Sequence, residues 1–207
     1  METVIYKNHK IELSYDEYAN SPREDDNLGT MICFHNRYNL GDKHSYDKND
    51  FDSWAELEKQ IIKDNGDSII LPLYLYDHSG ITIKTTPFNC NFDSGRVGLI
   101  FISKEKIRKE YNTKRINKNL LNKVTEYLIA EVKTYDKYLT GEIYQYDIIK
   151  DDESIDSCCG YYSEEDAIND AKSIIDYRIK QDMIKRFKTI KTLIKNKVPL
   201  HKRTQLI

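Results

Sequence analysis

The amino-acid sequence predicts an α+β fold, with an antiparallel sheet packed by helices and a long basic helix at the carboxyl end. Three observations predict this class. Apolar runs with strand-like alternation dominate the first half, helical spacing dominates the second half, and the last helical segment is crowded with lysine and arginine. A chain of 207 residues can bury a sizeable core as one domain. We therefore predict a single α+β domain over residues 1–207.

Strands are predicted where apolar and polar residues alternate, or where a short apolar run stands between polar turns. The predicted strands are residues 4–6, 10–14, 30–35, 68–76, 81–85, 97–103, 142–149 and 155–162. Asn8 and His9 are predicted to form the first hairpin turn, and residues 151–153 the last. Short turns of this kind join antiparallel neighbours.

The three middle strands, residues 68–76, 81–85 and 97–103, follow one another closely and are predicted to pair as an antiparallel meander. Pro72 has no backbone donor for a ladder, so it predicts an edge or a bulge in the first of these strands. Gly160 predicts a bulge or a close backbone approach in the last strand of the chain.

Helices are predicted at residues 50–64, 103–111, 117–138 and 163–195. Asp50 or Asp52 is expected to cap the first helix. The final helix has Ser163 as its cap and acidic residues in its first turn, which suits the helix dipole. Its apolar residues recur every three or four positions: Ile168, Ala171, Ile175, Ile179, Met183, Phe187, Ile190 and Ile194. Its second half is expected to protrude from the domain or to pack on a partner.

The formal net charge of −2 conceals an uneven distribution of charge. The last 36 residues contain 11 lysines and arginines against 2 aspartates, so the rest of the chain is acidic. A basic segment of this kind binds nucleic acid or an acidic protein, or it folds over an acidic surface of its own domain, or it stays solvated. The candidate cations are Lys185, Arg186, Lys188, Lys191 and Lys195.

The longest apolar run, residues 69–76, is shorter than the roughly 20 residues that a membrane-spanning helix requires. The amino terminus has no targeting pattern, so a soluble cytoplasmic protein with no membrane partner is expected. The four cysteines do not make a disulfide framework in a chain of this length, and reduced thiols are expected.

Four polar segments stand at the ends of predicted strands: residues 21–29, 39–44, 77–80 and 93–95. Loops that hold charged and hydroxyl side chains at strand ends are where binding and catalytic groups usually lie. The sequence therefore predicts a working surface at these segments and their neighbours. Its candidate residues are Arg23, Glu24, Asp25, Asp26, Asn27, His35, Arg37, Asp42, His44, Asp77, His78, Ser79, Asp93, Ser94 and Arg96.

Two kinds of chemistry remain open at this surface. The carboxylates could ligate Mg²⁺ or Ca²⁺ if the segments converge, or they could satisfy turns through local hydrogen bonds. The arginines could face a phosphate, or they could pair with neighbouring carboxylates. Because the carboxylates lack the fixed spacing of metal motifs, the sequence assigns no catalytic residue, no metal ligand and no cofactor. Mg²⁺ is expected as a cofactor only if the protein is a metal-dependent enzyme.

Two stretches of the chain resemble a family of short proteins carried by phages, plasmids and other mobile elements. They are residues 21–42 (SPREDDNLGTMICFHNRYNLGD) and 71–110 (LPLYLYDHSGITIKTTPFNCNFDSGRVGLIFISKEKIRKE). The resemblance implies an accessory factor that blunts the defence of a bacterial host, a class that includes inhibitors of CRISPR nucleases. It implies no catalytic residue.

The sequence leaves three functional hypotheses open. The leading hypothesis is a non-enzymatic inhibitor, in the cytoplasm of a bacterial host, that binds a defence nuclease or the complex of that nuclease with its guide RNA. The second is a metal-dependent phosphodiesterase or nuclease that uses the loop carboxylates with His35, His44 or His78, and it requires the four polar segments to meet at one concave spot. The third is a nucleic-acid-binding protein that uses the basic final helix. The oligomeric state stays open.

Overall fold

The computed structural model describes residues 2–90, 92–197, 199 and 202. Its strands are β1 (Glu2–Tyr6), β2 (His9–Tyr15), β3 (Thr30–Cys33), β4 (Ser68–Asp77), β5 (Ile81–Lys84), β6 (Ser94–Ser103), β7 (Tyr144–Lys150) and β8 (Glu153–Tyr161). Its α-helices are α1 (Trp54–Asn65), α2 (Lys104–Glu110), α3 (Lys118–Thr140) and α4 (Glu164–Lys197). The predicted α+β class with a long carboxyl-terminal helix is confirmed.

The chain divides into two compact units. The terminal unit comprises residues 1–16 and 143–207, and the inserted unit comprises residues 17–142. Each unit has a four-stranded antiparallel sheet of its own. The prediction of a single domain over residues 1–207 stays a prediction, and unfolding of the whole chain in one cooperative transition would support it.

The terminal unit packs the first half of α4 on a sheet of strand order β1-β2-β7-β8. Successive residues of a strand point to opposite faces, so alternate apolar residues of β2 and β7 share the face beneath the helix. The buried residues of this core are Ile11, Leu13, Tyr146, Ile148, Ala167, Ala171 and Ile175. Alanines on the helix allow a close approach to the sheet because they have no side chain beyond Cβ.

Two-residue turns close both hairpins of the terminal unit. Lys7 and Asn8 join β1 to β2 with φ of 45° and 60°, and Asp151 and Asp152 join β7 to β8 with φ of 51° and 65°. Positive φ at both central residues matches the right-handed twist of the flanking strands. The first turn is therefore one residue earlier than predicted. Gly160 has φ of 84° beside a register shift between β7 and β8, which confirms the predicted bulge.

The inserted unit is a three-layer arrangement with α3 on one face of its sheet and α1 on the other. The strand order is β3-β6-β4-β5. Because β6 is an inner strand covered on both faces, it is buried from Val97 to Ile102. The buried residues of the two helices are Val124, Leu128, Val132 and Tyr135 in α3 and Leu57 and Ile61 in α1.

The pairing of β4 corrects one prediction and refines another. β6 pairs with β4 rather than with β5, so the predicted meander is wrong. Pro72 lies in an inner strand, but β5 pairs only with Tyr74–Asp77, so among the described residues the chain at Pro72 pairs with β6 alone. A register shift between Leu73 and Tyr74 follows directly, which confirms the predicted bulge.

Helix α1 begins later than predicted. Its cap is Ser53, whose hydroxyl accepts a hydrogen bond from the amide of Glu56 at 3.3 Å, and neither Asp50 nor Asp52 serves. Asp50 instead ends a short 3-10 helix that precedes α1. A serine cap is as favourable as an aspartate cap, so residue type alone gives Asp50 and Asp52 no advantage over Ser53.

Candidate functional site

Arg23 is the centre of a buried ion network in the inserted unit. Its Nε and Nη2 each donate to a different carboxylate oxygen of Asp42 at 2.7 Å, and its Nη1 donates to Glu131 at 3.2 Å. Its Nη2 also donates to the carbonyl of Gly29 at 2.8 Å. Only 4% of the Arg23 side chain is exposed. Burial acts to lower the pKa of Arg23, but the bonds to Asp42 and Glu131 outweigh it and raise the pKa.

The two carboxylates of this network also satisfy backbone amides. Glu131 accepts hydrogen bonds from the amides of Leu28 at 2.7 Å and Gly29 at 3.2 Å, and Asp42 accepts one from Met31 at 2.8 Å. The network thus fastens the polar segments 21–29 and 39–44 to the start of β3 and to α3. Of the two alternatives that the sequence left open for the arginines, Arg23 makes the internal pairing, with Asp42 and Glu131. Buried charges with complete sets of partners are structural groups, because binding a ligand would require breaking that network.

The remaining candidates of segment 21–29 lie at the surface around this network. Glu24, Asp25 and Asp26 are exposed. The side-chain amide of Asn27 donates to the carbonyls of Pro22 and Asp25, both at 2.8 Å, and so closes its own turn. Local bonding of this kind is the ordinary use of asparagine in loops.

A second group of candidates forms a cleft at the other end of β3, where β4 ends and β6 begins. The amide of Asp77 donates to the carbonyl of Asp93 at 2.8 Å, which joins segments 77–80 and 93–95. Nδ1 of His78 lies 3.3 Å from Asp93, and Arg37 donates to Asp77 at 3.4 Å. The cleft has a volume of about 450 Å³. Its lining includes His35, Arg37, Lys48, Asp77, Asp93, Ser94 and Arg96.

The histidines of the candidate set have different surroundings. His35 accepts backbone hydrogen bonds on Nδ1 from Arg37 and Tyr38, both at 3.3 Å, and its ring stacks on Tyr38 at 4.9 Å. Nε2 of His44 lies 3.1 Å from the carbonyl of Cys33, and its ring meets Phe34 edge-on at 5.2 Å. Nδ1 of His44 is buried with no hydrogen-bond partner among the described residues. These histidines therefore do not converge on one reacting point.

Three further candidates have local roles. Arg96 donates to Glu58 at 2.6 Å and lies over the ring of Trp54 at 4.9 Å, so this arginine is paired within the inserted unit. The hydroxyl of Ser94 donates to the carbonyl of Cys90. Ser79 is exposed in a turn with φ of 57°.

The structure brings the four polar segments together in two groups rather than one. The Arg23 network contains segments 21–29 and 39–44, and the cleft contains segments 77–80 and 93–95. The single concave spot required by the phosphodiesterase hypothesis is therefore not formed. Within the part of the chain that the structure describes, no three His, Cys, Asp or Glu residues lie close enough to hold a metal ion.

Glu131 was missed by the sequence analysis. It follows Leu128 by three residues and precedes Tyr135 by four, so it borders the buried stripe of α3. A carboxylate at the margin of an apolar helical stripe needs a buried cation or several amides as partners. The position of Glu131 at the margin of the apolar stripe was therefore the sequence signal for a buried ion pair. The spacing of the loop residues gave no indication of Glu131.

The candidate cations of the final helix lie on the half of α4 that leaves the core. From residue 180 to residue 197 almost every side chain is exposed, whereas Ala167, Ala171 and Ile175 are fully buried. Lys185, Arg186, Lys188, Lys191 and Lys195 all lie in the exposed half, which we call the distal half of α4. Large apolar side chains are exposed beside them: Met183, Ile184, Phe187, Ile190 and Leu193.

The apolar stripe of α4 winds around the helix. Residues turn by about 100° each, so every step of four residues shifts the stripe by about 40°. From Ala171 to Phe187 the shift reaches about 160°, close to half a turn. The apolar side of the distal half therefore faces away from the direction in which Ala171 contacts the sheet. No continuation of that sheet would cover it.

Comparison with protein-family models, with curated proteins and with solved structures finds no significant match. Among the described residues, no helix combines the length and the apolar character needed to cross a membrane.

Proposed function

We propose that this protein is a non-enzymatic inhibitor that binds a CRISPR-type defence nuclease, or the complex of that nuclease with its guide RNA, in the cytoplasm of a bacterial host. Binding takes place through the distal half of α4. The observation that supports the proposal is an exposed helical surface of about 27 Å with an apolar stripe and basic flanks. Helices of this kind bind by laying the apolar face into a groove of the partner.

The apolar stripe of the distal half is exposed and offers a surface that a partner can bury. Met183, Phe187 and Ile190 recur at helical spacing, and Phe187 is 70% exposed. Burying a side chain of this size stabilises a complex by roughly 1.5–3 kcal/mol. Contiguous exposed apolar surface on a soluble domain usually marks an interaction site.

The charge of the distal half selects the chemistry of its partner. Residues 180–197 contain seven lysines and arginines against one aspartate. Arg186 and Lys191 flank the apolar stripe on its two sides, as the turn of about 100° per residue places them. A groove with an apolar floor and carboxylates on its rim complements this surface, whereas a second parallel copy of the same helix would repel it.

The test is cleavage of target DNA by a panel of CRISPR nucleases loaded with guide RNA, with increasing amounts of the protein. The wild-type protein should block at least one nuclease. The double variant Phe187→Gln/Ile190→Gln keeps good helix formers and removes the apolar stripe. It should inhibit at least 100-fold less strongly.

The matched control is the double variant Ile5→Gln/Ile62→Gln, which changes two exposed apolar residues that belong to β1 and α1. It should inhibit as the wild type does. Equal inhibition by all three proteins would show that the distal half is not the binding surface. If no nuclease is inhibited by the wild-type protein, the proposed function is wrong.

The alternative of a metal-dependent phosphodiesterase loses the single meeting point of the four polar segments and draws only on the cleft, where Nδ1 of His78 lies 3.3 Å from Asp93 and the amide of Asp77 donates to the carbonyl of Asp93. Carboxylates and an imidazole are the groups that such chemistry uses. The test is hydrolysis of labelled RNA and DNA in Mg²⁺ or Mn²⁺. Cleavage that is lost in Asp77→Asn and Asp93→Asn would favour the enzyme over the inhibitor.

A further inference from the structure

A second basic region lies in the inserted unit, far along the chain from α4. Residues 104–123 contain eight lysines and arginines against two glutamates. They build a surface groove of about 800 Å³ between α2 and the turn that follows it. We call it the α2 groove, and its cations are Lys106, Arg108, Lys109 and Lys114. Of the described residues that line it, Glu105 is the only carboxylate.

Three of the four cations of the α2 groove are available to a ligand, whereas Nζ of Lys106 donates to the carbonyl of Asn27 at 2.9 Å. Arg108, Lys109 and Lys114 are exposed, and none of them has a carboxylate within ion-pair distance among the residues that the structure describes. Lys104 differs, because it pairs with Asp67 at 2.6 Å. Unpaired like charges held close together repel one another, and a bound polyanion relieves that repulsion.

The groove is preformed by local structure. Ile107 is fully buried and anchors α2 on the core. The amide of Thr113 donates to the carbonyl of Arg108 at 3.0 Å, and the Thr113 hydroxyl donates to the carbonyl of Arg115 at 3.0 Å. These bonds fix the turn against α2, so the cations of both walls are positioned before a ligand arrives.

The composition of the groove distinguishes among polyanions. Its described lining has no apolar side chain, so it lacks the apolar centre of a protein interface and the apolar residues that insert into a membrane. An adjoining cavity of about 380 Å³ shares Lys106 with the groove and contains Lys123, Tyr111 and Tyr127, together with the carboxylates of Asp26, Glu110 and Glu131. Tyr127 is 54% exposed. Cations beside exposed aromatic rings are the combination that binds single-stranded nucleic acid.

We propose that the α2 groove binds the phosphate backbone of a single-stranded nucleic acid, with a base stacked on Tyr127. This site is separate from the distal half of α4 and does not rest on the proposed function. The probe is a free nucleic acid, so the two proposals are tested independently. The protein could inhibit a nuclease without binding the nucleic acid, or bind the nucleic acid without inhibiting a nuclease.

The experiment measures the affinity of the whole chain for a fluorescent 20-nucleotide single-stranded RNA and for the DNA of the same sequence, over a range of salt. The variant Lys109→Gln/Lys114→Gln/Arg115→Gln removes three exposed cations of this region. It should lose about 100-fold in affinity at 0.1 M salt, and its log–log salt slope should fall by about two. Tyr127→Ala should lose about 5-fold or more. The RNA and DNA arms identify which nucleic acid is preferred.

The matched control, Lys59→Gln/Lys63→Gln/Lys133→Gln, removes the same charge from exposed lysines elsewhere in the inserted unit. It should retain the wild-type affinity to within about 5-fold, since nonspecific charge alone contributes little at a distance. Equal losses in the two triple variants would overturn the proposal. So would loss of binding only in Lys185→Gln/Lys188→Gln/Lys191→Gln, or equally tight binding of the wild type to polyglutamate or to phosphatidylserine vesicles. Circular dichroism checks that each variant is folded.

Discussion

The Arg23 network and the distal half of α4 are both rich in charge, and they use charge in opposite ways. Arg23 is 4% exposed and donates to Asp42, Glu131 and a backbone carbonyl. The distal half has seven cations against one aspartate, most of them exposed, beside uncovered apolar residues such as Phe187. The comparison teaches that buried, fully bonded charges stabilise the fold, while exposed charges beside uncovered apolar surface identify a place for a partner.

The largest expected difference concerns the thiol beside the network. Burial, followed by the nearby Asp42 carboxylate, raises the pKa of Cys33 to about 12, whereas Cys158 and Cys159 are exposed. Only the thiolate reacts, so at pH 8 iodoacetamide should modify Cys33 about a thousandfold more slowly than the exposed pair. Mass spectrometry of peptides over time measures this. Comparable rates would show that the region around the network opens readily.

The same shift has a consequence for stability. The folded-state pKa of Cys33 lies above its ordinary value of 9.0, so the contribution of the neutral thiol is fully present below pH 9 and is lost as pH rises towards 12. Cys33→Ala should flatten the dependence of unfolding free energy on pH in that alkaline range.

The next largest effect is expected from removing the cation of the network. Arg23→Met leaves the largely buried carboxylates of Asp42 and Glu131, which are 20% and 12% exposed, without their cation, and we expect a loss of about 3–5 kcal/mol in unfolding free energy. Arg37→Met is the matched control, because Arg37 is 70% exposed and its pair with Asp77 should be worth less than about 0.5 kcal/mol. Urea unfolding measures both. Equal losses of unfolding free energy in the two variants would mean that the Arg23 network stabilises the fold no more than an exposed ion pair does.

The smallest effects sharpen the comparison within α4 itself. Ile175→Ala removes a fully buried side chain and should cost about 2–4 kcal/mol, whereas Ile190→Ala, at 51% exposure, should cost less than about 0.5 kcal/mol. The two substitutions delete the same atoms from the same helix. A large cost at Ile190 would show that the distal stripe is already covered in the free protein.

The sequence predicted the elements better than their pairing. Strand β4 and helix α4 match their predicted ranges within a few residues, because periodicity and caps are local signals. The pairing of β2 with β7 joins residues about 130 positions apart, and no local pattern specifies such a partner. The wrong meander has the same cause, since β5 and β6 are neighbours in sequence but not in the sheet.

The candidate site was predicted in part. Arg23 bonds to Asp42, and the amide of Asp77 donates to the carbonyl of Asp93, whereas the sequence analysis named these residues only as members of one candidate surface. The division into two groups depends on which end of β3 each loop reaches, and that follows from tertiary packing. The winding of the α4 stripe could have been computed from the spacing alone, because steps of four residues drift steadily around a helix.

Hydrogen exchange on the wild-type protein, with and without a CRISPR nuclease that it inhibits, tests the central claim most directly. The account predicts that the amides of residues 180–197 become protected on binding, because the apolar stripe enters a groove of the partner. The amides of the cleft segments 77–80 and 93–95 should exchange as they do in the free protein. Protection of those cleft segments with no change over residues 180–197 would contradict the account.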